Sequence, residues 1–168
     1  CRDGTALTRD CVLLSNHLCG AALDSSIRCA LSAWQSETQP GDSSDALAGV
    51  VAVTCCHHAC AFGSFLGREY LAEAGLSAAD FEAICRWSRL APRRERPASS
   101  RPRVVEMAQQ LGCTPDEAAE LGMRCRHLMD SCRARYLAAH GFDVSLVHHV
   151  GVELTGDNVM ILCTRKHG

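Results

Sequence analysis

Three short apolar runs, each about as long as a buried strand, constrain the fold of this chain more than any other feature. They are Cys11–Ser15, Val50–Thr54 and Val159–Thr164. Each run is almost continuously apolar, which is typical of strands that are covered on both faces. A fourth, weaker run at Ser145–Leu154 also favours a strand. We therefore predict one sheet that contains these runs.

Helical patterns separate the predicted strands. Asp24–Gln35 follows the first strand, and Leu66–Ala74 follows the second. Ser77 and Asp80 resemble a capping box, in which each side chain bonds to the other residue's backbone, and this predicts a helix that continues through Trp87.

A longer helix is predicted to begin after Thr114. Pro115 and Glu117 occupy the first and third helical positions, where these residue types favour a helix start. Gly141 would end the helix, because glycine adopts the left-handed cap at little cost. Apolar residues between these points recur at intervals of three and four, which predicts a single buried stripe. They are Leu121, Cys125, Leu128, Met129, Cys132, Tyr136 and Leu137.

The order of these elements predicts an α/β fold with a parallel sheet and right-handed crossovers. Only Thr155–Asn158 separates the last two strands, so we expect a hairpin whose final strand is antiparallel. By analogy of fold, this is the ending of a Rossmann-type methyltransferase domain. We expect residues 1–168, which begin at Cys1 without a methionine, to form the C-terminal portion of one such domain, with a mostly parallel sheet. The Arg/Pro-rich stretch around 91–103 is predicted to be a flexible insertion.

The twelve cysteines allow two interpretations. A secreted disulfide scaffold is one. Most of them, however, lie within apolar strand-like or helix-like segments, where a free thiol behaves as a small buried hydrophobe. We therefore favour a reduced, intracellular protein, cytoplasmic or nuclear.

Overall charge does not single out a partner. The net charge is −2, which does not indicate a globally basic nucleic-acid binder but is compatible with a local basic patch. No stretch approaches the roughly 18 apolar residues of a membrane span, so no membrane partner is predicted. The sequence makes no prediction of an oligomeric state.

Two polar clusters come directly after predicted strands. The first runs from Ser15 to Gly20, and the second comprises Cys55–His58 with Cys60 close behind. Ligands of open α/β sheets bind at the carboxyl ends of the strands. If the two strands are neighbours, about 4.8 Å apart, both clusters line one crevice.

Imidazole and thiol groups in these clusters suit the handling of a proton at a substrate hydroxyl. Imidazole is the side chain that most readily moves protons near neutral pH. We expect His17, His57 and His58 to position the acceptor and handle its proton, while Cys19 and Cys56 shape the pocket. Simple buried packing is the alternative for each of these residues. We judge it most apt for Cys55 and least apt for His57 and His58, since two adjacent imidazoles are hard to bury together.

A zinc site is the rival interpretation of the second cluster, because cysteine and histidine are zinc ligands. Adjacent residues rarely all ligate one ion, and the paired spacings of zinc motifs are missing from the sequence. We therefore predict no metal ligand.

Arginines form a local basic feature, which would suit a phosphate backbone. A solubilising linker is the alternative interpretation. Those of the linker region are Arg86, Arg89, Arg93, Arg94, Arg96, Arg101 and Arg103, and those of the long helix are Arg124, Arg126, Arg133 and Arg135.

At the two polar clusters the sequence resembles a known family. His17-Leu18-Cys19-Gly20 is followed by Asp24 and by Ile27-Arg28-Cys29, and the second cluster reads Cys55-Cys56-His57-His58-Ala59-Cys60, with Gly67-Arg68-Glu69-Tyr70 after it. This combination is similar to the eukaryotic tRNA 2′-O-methyltransferases of the Trm13 family, which modify nucleotide 4 of the acceptor stem. The similarity continues through the long helix and Gly141-Phe142 to Asn158-Val159.

The resemblance implies a Rossmann-type domain that transfers a methyl group from S-adenosylmethionine to a ribose 2′-hydroxyl of tRNA. It implies that Ser15, Asn16 and Asp24 contact the donor; the alternative role of Asp24 is to start the following helix. The implied RNA contacts, each of which has a solvated charge as its alternative, are Arg28, Arg68, Arg86, Arg124 and Arg126.

Some positions depart from the family pattern. Asn16 stands where the family has a lysine able to polarise the ribose hydroxyl, and Ala59 and Phe62 stand where it tends to have arginine and tryptophan. The glycine-rich turn that holds the donor is expected outside these residues. Two alternatives stay open: a related methyltransferase domain that acts on protein or another RNA, and a non-catalytic zinc-binding or interaction module.

Overall fold

The structure is a computed structural model that describes residues 11–35, 47–92 and 97–166. The four strands are β1 (Cys11–Ser15), β2 (Leu47–Val53), β3 (Phe142–His148) and β4 (Val159–Arg165). The five α-helices are α1 (Ala21–Gln35), α2 (Arg68–Glu73), α3 (Ala78–Trp87), α4 (Pro102–Leu111) and α5 (Pro115–Ala139). The predicted α/β class is therefore confirmed.

The four strands form one sheet in the order β1-β2-β4-β3. β1 and β2 are parallel, while β4 is antiparallel to both β2 and β3. Strands β1, β2 and β3 thus share a direction, and the last strand lies between two of them in the opposite direction. The predicted antiparallel final strand and hairpin are confirmed. Because β4 is inserted rather than added at the edge, the sheet has one parallel pairing among the three described, fewer than a mostly parallel sheet suggests.

The hairpin differs from its prediction in one respect. β3 covers Phe142–His148 instead of Ser145–Leu154. The chain turns at residues 149–158, and Asn158 holds this turn by donating from its side-chain amide to the Val150 carbonyl, 3.1 Å away. The apolar residues Val152 and Leu154, which suggested a longer strand, are exposed.

Helices α1 and α5 pack on the sheet to form the main core. Leu23, Ile27 and Leu31 of α1 lie in one buried cluster with Val50 of β2 and Ile161 of β4. Leu137 of α5 and Phe142 at the start of β3 complete this layer. The predicted stripe on α5 also faces a second cluster, where Cys125, Met129 and Cys132 pack with residues of α2 and α3. Helix α5 therefore joins the sheet to the helical part of the molecule.

The predicted helix starts are present in atomic detail. Ser77 and Asp80 form a capping box at α3, and Thr114 and Glu117 form another at α5. Gly141 has a φ of 89° and follows the end of α5, as predicted. Within the described residues, no helix is both long and apolar enough to cross a membrane.

Helix α4 has no counterpart among the sequence predictions. It begins at Pro102, inside the stretch predicted to be a flexible insertion. Two residues within that stretch, Ala91 and Ala98, are buried. Arg101 donates to the carbonyls of Leu90 and Ala91 at 2.9 and 3.0 Å, which connects the two ends of the stretch. Residues 93–96, with Arg93, Arg94 and Arg96, lie outside the described residues, so the flexibility predicted there stays a prediction.

Candidate active site

Two turns meet at the carboxyl ends of β1 and β2. The strands are direct neighbours, with Ser15 of β1 opposite Ala52 of β2. The Sγ atom of Cys19, in the turn after β1, lies 3.0 Å from that of Cys56 and 3.4 Å from that of Cys55. The prediction that the two strands are neighbours is confirmed, and both polar clusters meet at one edge of the sheet; we call the space beside these two turns the crevice.

The backbone of both turns adopts a conformation that is unusual for side-chain-bearing residues. His17 has a φ of 62° and Cys56 a φ of 47°, and within the described ranges they are the two non-glycine residues with positive φ. Such conformations cost free energy and are concentrated at functional sites. The surrounding contacts must hold both turns in place.

Exposure divides the predicted site residues of the two clusters. His17, Cys19 and Asn16 are exposed, whereas Cys56 and His58 are half-buried. Of the three predicted histidines, His17 is therefore the most exposed.

The end of β1 presents a buried hydroxyl. Ser15 is 7% exposed, and its Oγ atom has no hydrogen-bond partner among the described residues. Buried polar groups are nearly always hydrogen-bonded, so an unpartnered one calls for an explanation such as a ligand. Cys55 at the end of the neighbouring strand is buried, as its packing alternative predicted.

His57 is buried, contrary to expectation. It is 3% exposed, and its Nε2 lies 2.9 Å from both carboxylate oxygens of Asp130. Thr54 donates its hydroxyl to the same carboxylate at 2.9 Å. A carboxylate from α5 thus makes burial of this imidazole possible. The Nδ1 atom of His57 has no hydrogen-bond partner within the described parts of the chain.

Asp24 is fully buried and paired. Arg133 donates to its two carboxylate oxygens through Nε and Nη2, at 3.0 and 2.8 Å. Arg133 also donates to Asp130 at 3.1 Å and to the Sγ of Cys60 at 3.1 Å. The predicted donor contact of Asp24 has no support in this geometry, because its carboxylate has no exposed surface and ties α1 to α5. Nor does it cap the helix, since α1 begins at Ala21.

Asp130, Arg133 and Thr54 were not predicted as site residues. The available signal was the pair Asp130 and Arg133, two charges three residues apart within the apolar stripe of α5. Charged residues are rarely buried unless they are paired. This rule predicts that Asp130 and Arg133 each have a buried, oppositely charged partner, but it does not identify that partner.

The pKa of Asp130 is lowered, whereas the pKa values of the neighbouring thiols are raised. Burial raises the pKa of Asp130, but the charges of His57 and Arg133 outweigh it and leave the pKa below its ordinary value. Burial, followed by the hydrogen bond with Cys19, raises the pKa of Cys55. Burial raises the pKa of Cys60 to about 11, although the charge of Arg133 opposes this change.

His58 lies between two clefts that carry arginines. One, of about 450 Å³, is lined by His58, Arg86 and Arg89, together with apolar side chains that include Phe62 and Phe81. The other, of about 360 Å³, is lined by His58, Arg89, Arg101 and Arg103. The predicted RNA contact Arg86 therefore belongs to a basic surface next to the crevice.

The remaining predicted RNA contacts are scattered. Arg28 and Arg68 are exposed and donate to the carbonyls of Ser64 and Gly63, both at 3.1 Å. Exposed Arg124 pairs with Glu120 on the same helix at 2.7 Å.

Arg126 serves a different purpose. It is 7% exposed and donates to the Ser88 carbonyl at 3.0 Å and to Asp157 at 2.8 Å. These bonds hold the turn between β3 and β4 against the end of α3. Its predicted contact with RNA has no support here, because burial leaves the guanidinium little surface to offer.

Known proteins resemble this chain over most of its length. The tRNA:m(4)X modification enzyme TRM13 of Schizosaccharomyces pombe is 30% identical over 158 residues, which cover 90% of this chain and 39% of that protein. The enzyme of the same name from Scheffersomyces stipitis is also 30% identical, over 89% of this chain and 36% of that protein. The human tRNA:m(4)X modification enzyme TRM13 homolog is 21% identical, with coverage of 92% and 44%.

The chain thus spans less than half the length of each of these relatives. No solved structure matches it significantly. The profile of the family described as Methyltransferase TRM13 matches residues 5–164, nearly the whole chain. With its strand-end clusters in one crevice and this match along its length, the chain belongs to the TRM13 methyltransferase family.

Proposed function

We propose that this chain forms the acceptor side of a tRNA 2′-O-ribose methyltransferase that uses S-adenosylmethionine. The observation that carries the proposal is the convergence of the two strand-end turns, which puts Cys19 3.0 Å from Cys56 and exposes His17 beside them. The names of the relatives, each a tRNA modification enzyme, support tRNA as the substrate.

The sheet supports a Rossmann-type methyltransferase fold. Its last strand runs antiparallel between two strands of a common direction, and an antiparallel last strand is the ending expected for that fold. Ligands of such sheets bind at the carboxyl ends of the parallel strands, where the two turns of this chain meet.

Two of the three residues predicted to contact the methyl donor are suited to that role. Ser15, with its unpartnered buried hydroxyl, and exposed Asn16 are suited to contact S-adenosylmethionine at the end of β1. Asp24 is not, since both of its oxygens bond to Arg133. When bound, the donor supplies an electrophilic methyl group. The glycine-rich turn expected to hold the rest of it would come from outside these residues.

We assign the removal of the proton from the acceptor hydroxyl to His17. A ribose hydroxyl must lose its proton as its oxygen attacks the methyl carbon, and an imidazole within hydrogen-bond reach accepts that proton efficiently. His17 is the exposed imidazole at the crevice, whereas His57 is buried and only 3% exposed. We assign His57 a positioning role, in which its bond to Asp130 holds the turn that carries Cys56.

The basic clefts supply the contacts to the RNA backbone. Arg86, Arg89 and Arg103 surround His58 next to the crevice. Guanidinium groups bind phosphate through charge-assisted hydrogen bonds.

The eleven described cysteines are free thiols, which supports an intracellular location, cytoplasmic or nuclear, for this activity.

The product decides between this proposal and its alternatives. The intact protein is incubated with methyl-labelled S-adenosylmethionine and either tRNA or a protein extract, and the labelled product is digested and mapped. We expect label on the ribose of one acceptor-stem nucleotide of tRNA. Label on a base, on another RNA or on protein would contradict the proposal, as would the absence of transfer.

A further inference from the structure

Three thiols from two separate turns converge at one point of the crevice. The Sγ atoms of Cys19, Cys55 and Cys56 all lie within 4.8 Å of one another. Two of the distances are 3.0 and 3.4 Å. Among the described residues, no other cluster of cysteine, histidine and acidic side chains meets this condition.

These separations suit three ligands of one metal ion. A tetrahedral zinc ion bonds sulfur at about 2.3 Å, which sets its ligand sulfurs about 3.8 Å from one another. Small side-chain rotations would bring the three sulfurs to that spacing. Soft thiolate ligands select zinc and Cu(I) over hard cations such as Mg²⁺ or Ca²⁺.

The backbone explains how two adjacent cysteines face the same point. Successive side chains of an extended strand point to opposite faces. Cys56 leaves this pattern because its φ is 47°, and its sulfur thereby approaches the one from β1. Adjacent residues rarely all ligate one ion, but the left-handed backbone of Cys56 lets this pair of cysteines face one point.

The third thiol is supplied by a contact between the turns. Gly20 follows Cys19, and a Cβ added to it would collide with the backbone of Ala59. The turn after β1 therefore rests directly on the turn after β2. This contact fixes Cys19 over the other two thiols.

We propose that Cys19, Cys55 and Cys56 bind one zinc ion, with the fourth coordination position open. Binding exchanges three thiol protons for the ion: Zn²⁺ and three neutral thiols give a complex of net charge −1 and three released protons. The exposed side of Cys19 leaves the fourth position accessible. Three protein ligands with an open position are the arrangement of zinc sites that accept an exogenous ligand, such as water or a substrate group.

The site lies in the proposed methyl-acceptor crevice but does not rest on methyl transfer. A purely structural site, a catalytic one and a site in an inactive protein would all bind the ion. The zinc site is therefore tested by measuring metal binding and thiol reactivity. The result does not depend on whether the labelled methyl product is found on tRNA.

Thiol protection tests the site in the unaltered protein. The intact, fully reduced protein is stripped of metal, given zinc or no addition, and treated with an alkylating reagent, and the labelled cysteines are quantified by mass spectrometry. We expect zinc to slow alkylation of Cys19 and Cys56 at least tenfold and a chelator to restore it. Cys113, which is partly exposed and outside the cluster, is the internal control and should react at an unchanged rate.

Variants give an independent readout. Cobalt(II) replaces zinc and shows a thiolate-to-metal charge-transfer band, and any other metal site of the protein cancels in the comparison. Cys19→Ser and Cys56→Ser should each bind one equivalent less than Cys113→Ser and lose the corresponding band, with unchanged circular dichroism. Equal metal content in all three variants, or alkylation that zinc does not slow, would overturn the proposal.

Discussion

Two carboxylates share one buried guanidinium at the centre of this molecule. Arg133 is paired with Asp24 from α1 and with Asp130 from its own helix, and all three are 1% exposed or less. Burial lowers the pKa of Arg133, but the hydrogen bonds and charge of Asp24 reverse the effect, so the pKa is raised overall. The guanidinium of Arg133 remains charged. Removal of either carboxylate would therefore leave unpaired charge in the interior.

Removal of one partner from this network is predicted to be costly. Asp24→Ala should lower the free energy of unfolding by about 3 kcal/mol, because breaking a buried ion pair leaves an uncompensated charge. Urea unfolding of the variant measures the loss. Asp143→Ala is the matched control: Asp143 is exposed and lies 3.9 Å from Lys166, so it should change stability by well under 1 kcal/mol. A small effect of Asp24→Ala would show that the network does not hold α1 to α5.

At the level of single residues, the sequence predicted the location of the two clusters better than the surroundings of each side chain. His17 and Cys19 are exposed at the crevice, where the strand-end rule put them. His57 was assigned to the acceptor, but a carboxylate from a helix 73 residues away in the chain buries it. Such a pairing depends on tertiary contacts that no local pattern encodes.

The unit that makes the crevice is a pair of turns in backbone contact. Gly20 has a φ of 56°, and any side chain there would meet the carbonyl group of Ala59. The two turns can approach only because this position has no Cβ.

Gly20→Ala is therefore predicted to separate the turns. A left-handed alanine alone costs about 1 kcal/mol, and overpacking against fixed backbone adds about 1–3 kcal/mol more. The variant should unfold at a lower temperature than wild type, and zinc should protect its Cys19 less from alkylation.

Gly75→Ala provides the comparison, since Gly75 has a φ of 77° but nothing within 4 Å of an added Cβ. It should show the backbone cost alone and leave thiol protection intact. Equal effects of the two variants would argue against a close contact between the turns.

Most elements were predictable from local signals, and one helix with such signals was missed. The two capping boxes fixed the starts of α3 and α5, and apolar runs located β1, β2 and β4. Helix α4 was missed although Pro102 stands at its first position and Gly112 forms a left-handed cap at its end, because the arginines and prolines before it favoured the interpretation as a linker. Its buried residues, Val104 and Ala108, pack in one cluster with Leu90 and with Ala118 and Ala119 of α5.

For the whole molecule, the cysteines predict how stability responds to alkali. Burial raises the pKa of Cys85 from 9.0 to about 12 and that of Cys125 from 9.0 to about 11. Above pH about 9, the unfolded chain loses protons from these two thiols, whereas the folded chain retains them until the pH reaches the raised pKa values. The free energy of unfolding is therefore constant with respect to these groups below pH about 9 and falls as the pH rises above it.

Urea unfolding under reducing conditions, at pH about 8 and about 10.5, measures this change. Wild type should lose stability between the two values, and Cys125→Ala should lose less, because it lacks one of the titrating thiols. A pH dependence that is the same in both proteins would show that the buried thiol of Cys125 does not contribute.

The overall topology was predictable to the extent that chain order restricts it. Alternating strands and helices predicted the parallel pair β1 and β2, and the short final connection predicted the antiparallel hairpin. The insertion of β4 between β2 and β3 was not predicted, because strand order within a sheet depends on which apolar faces meet and not on local sequence. That insertion leaves β1 and β2 adjacent with their ends at one site.

The rate of methyl transfer by His17→Ala in the intact protein tests the central claim most directly. With tRNA and S-adenosylmethionine saturating, we expect the rate to fall by about 10²–10⁴-fold, the contribution of a positioned general base, while tRNA affinity is unchanged. His149→Ala, which removes an exposed imidazole in the turn after β3, should keep the wild-type rate. If His17→Ala transfers methyl groups as fast as His149→Ala, the crevice between β1 and β2 is not the acceptor site.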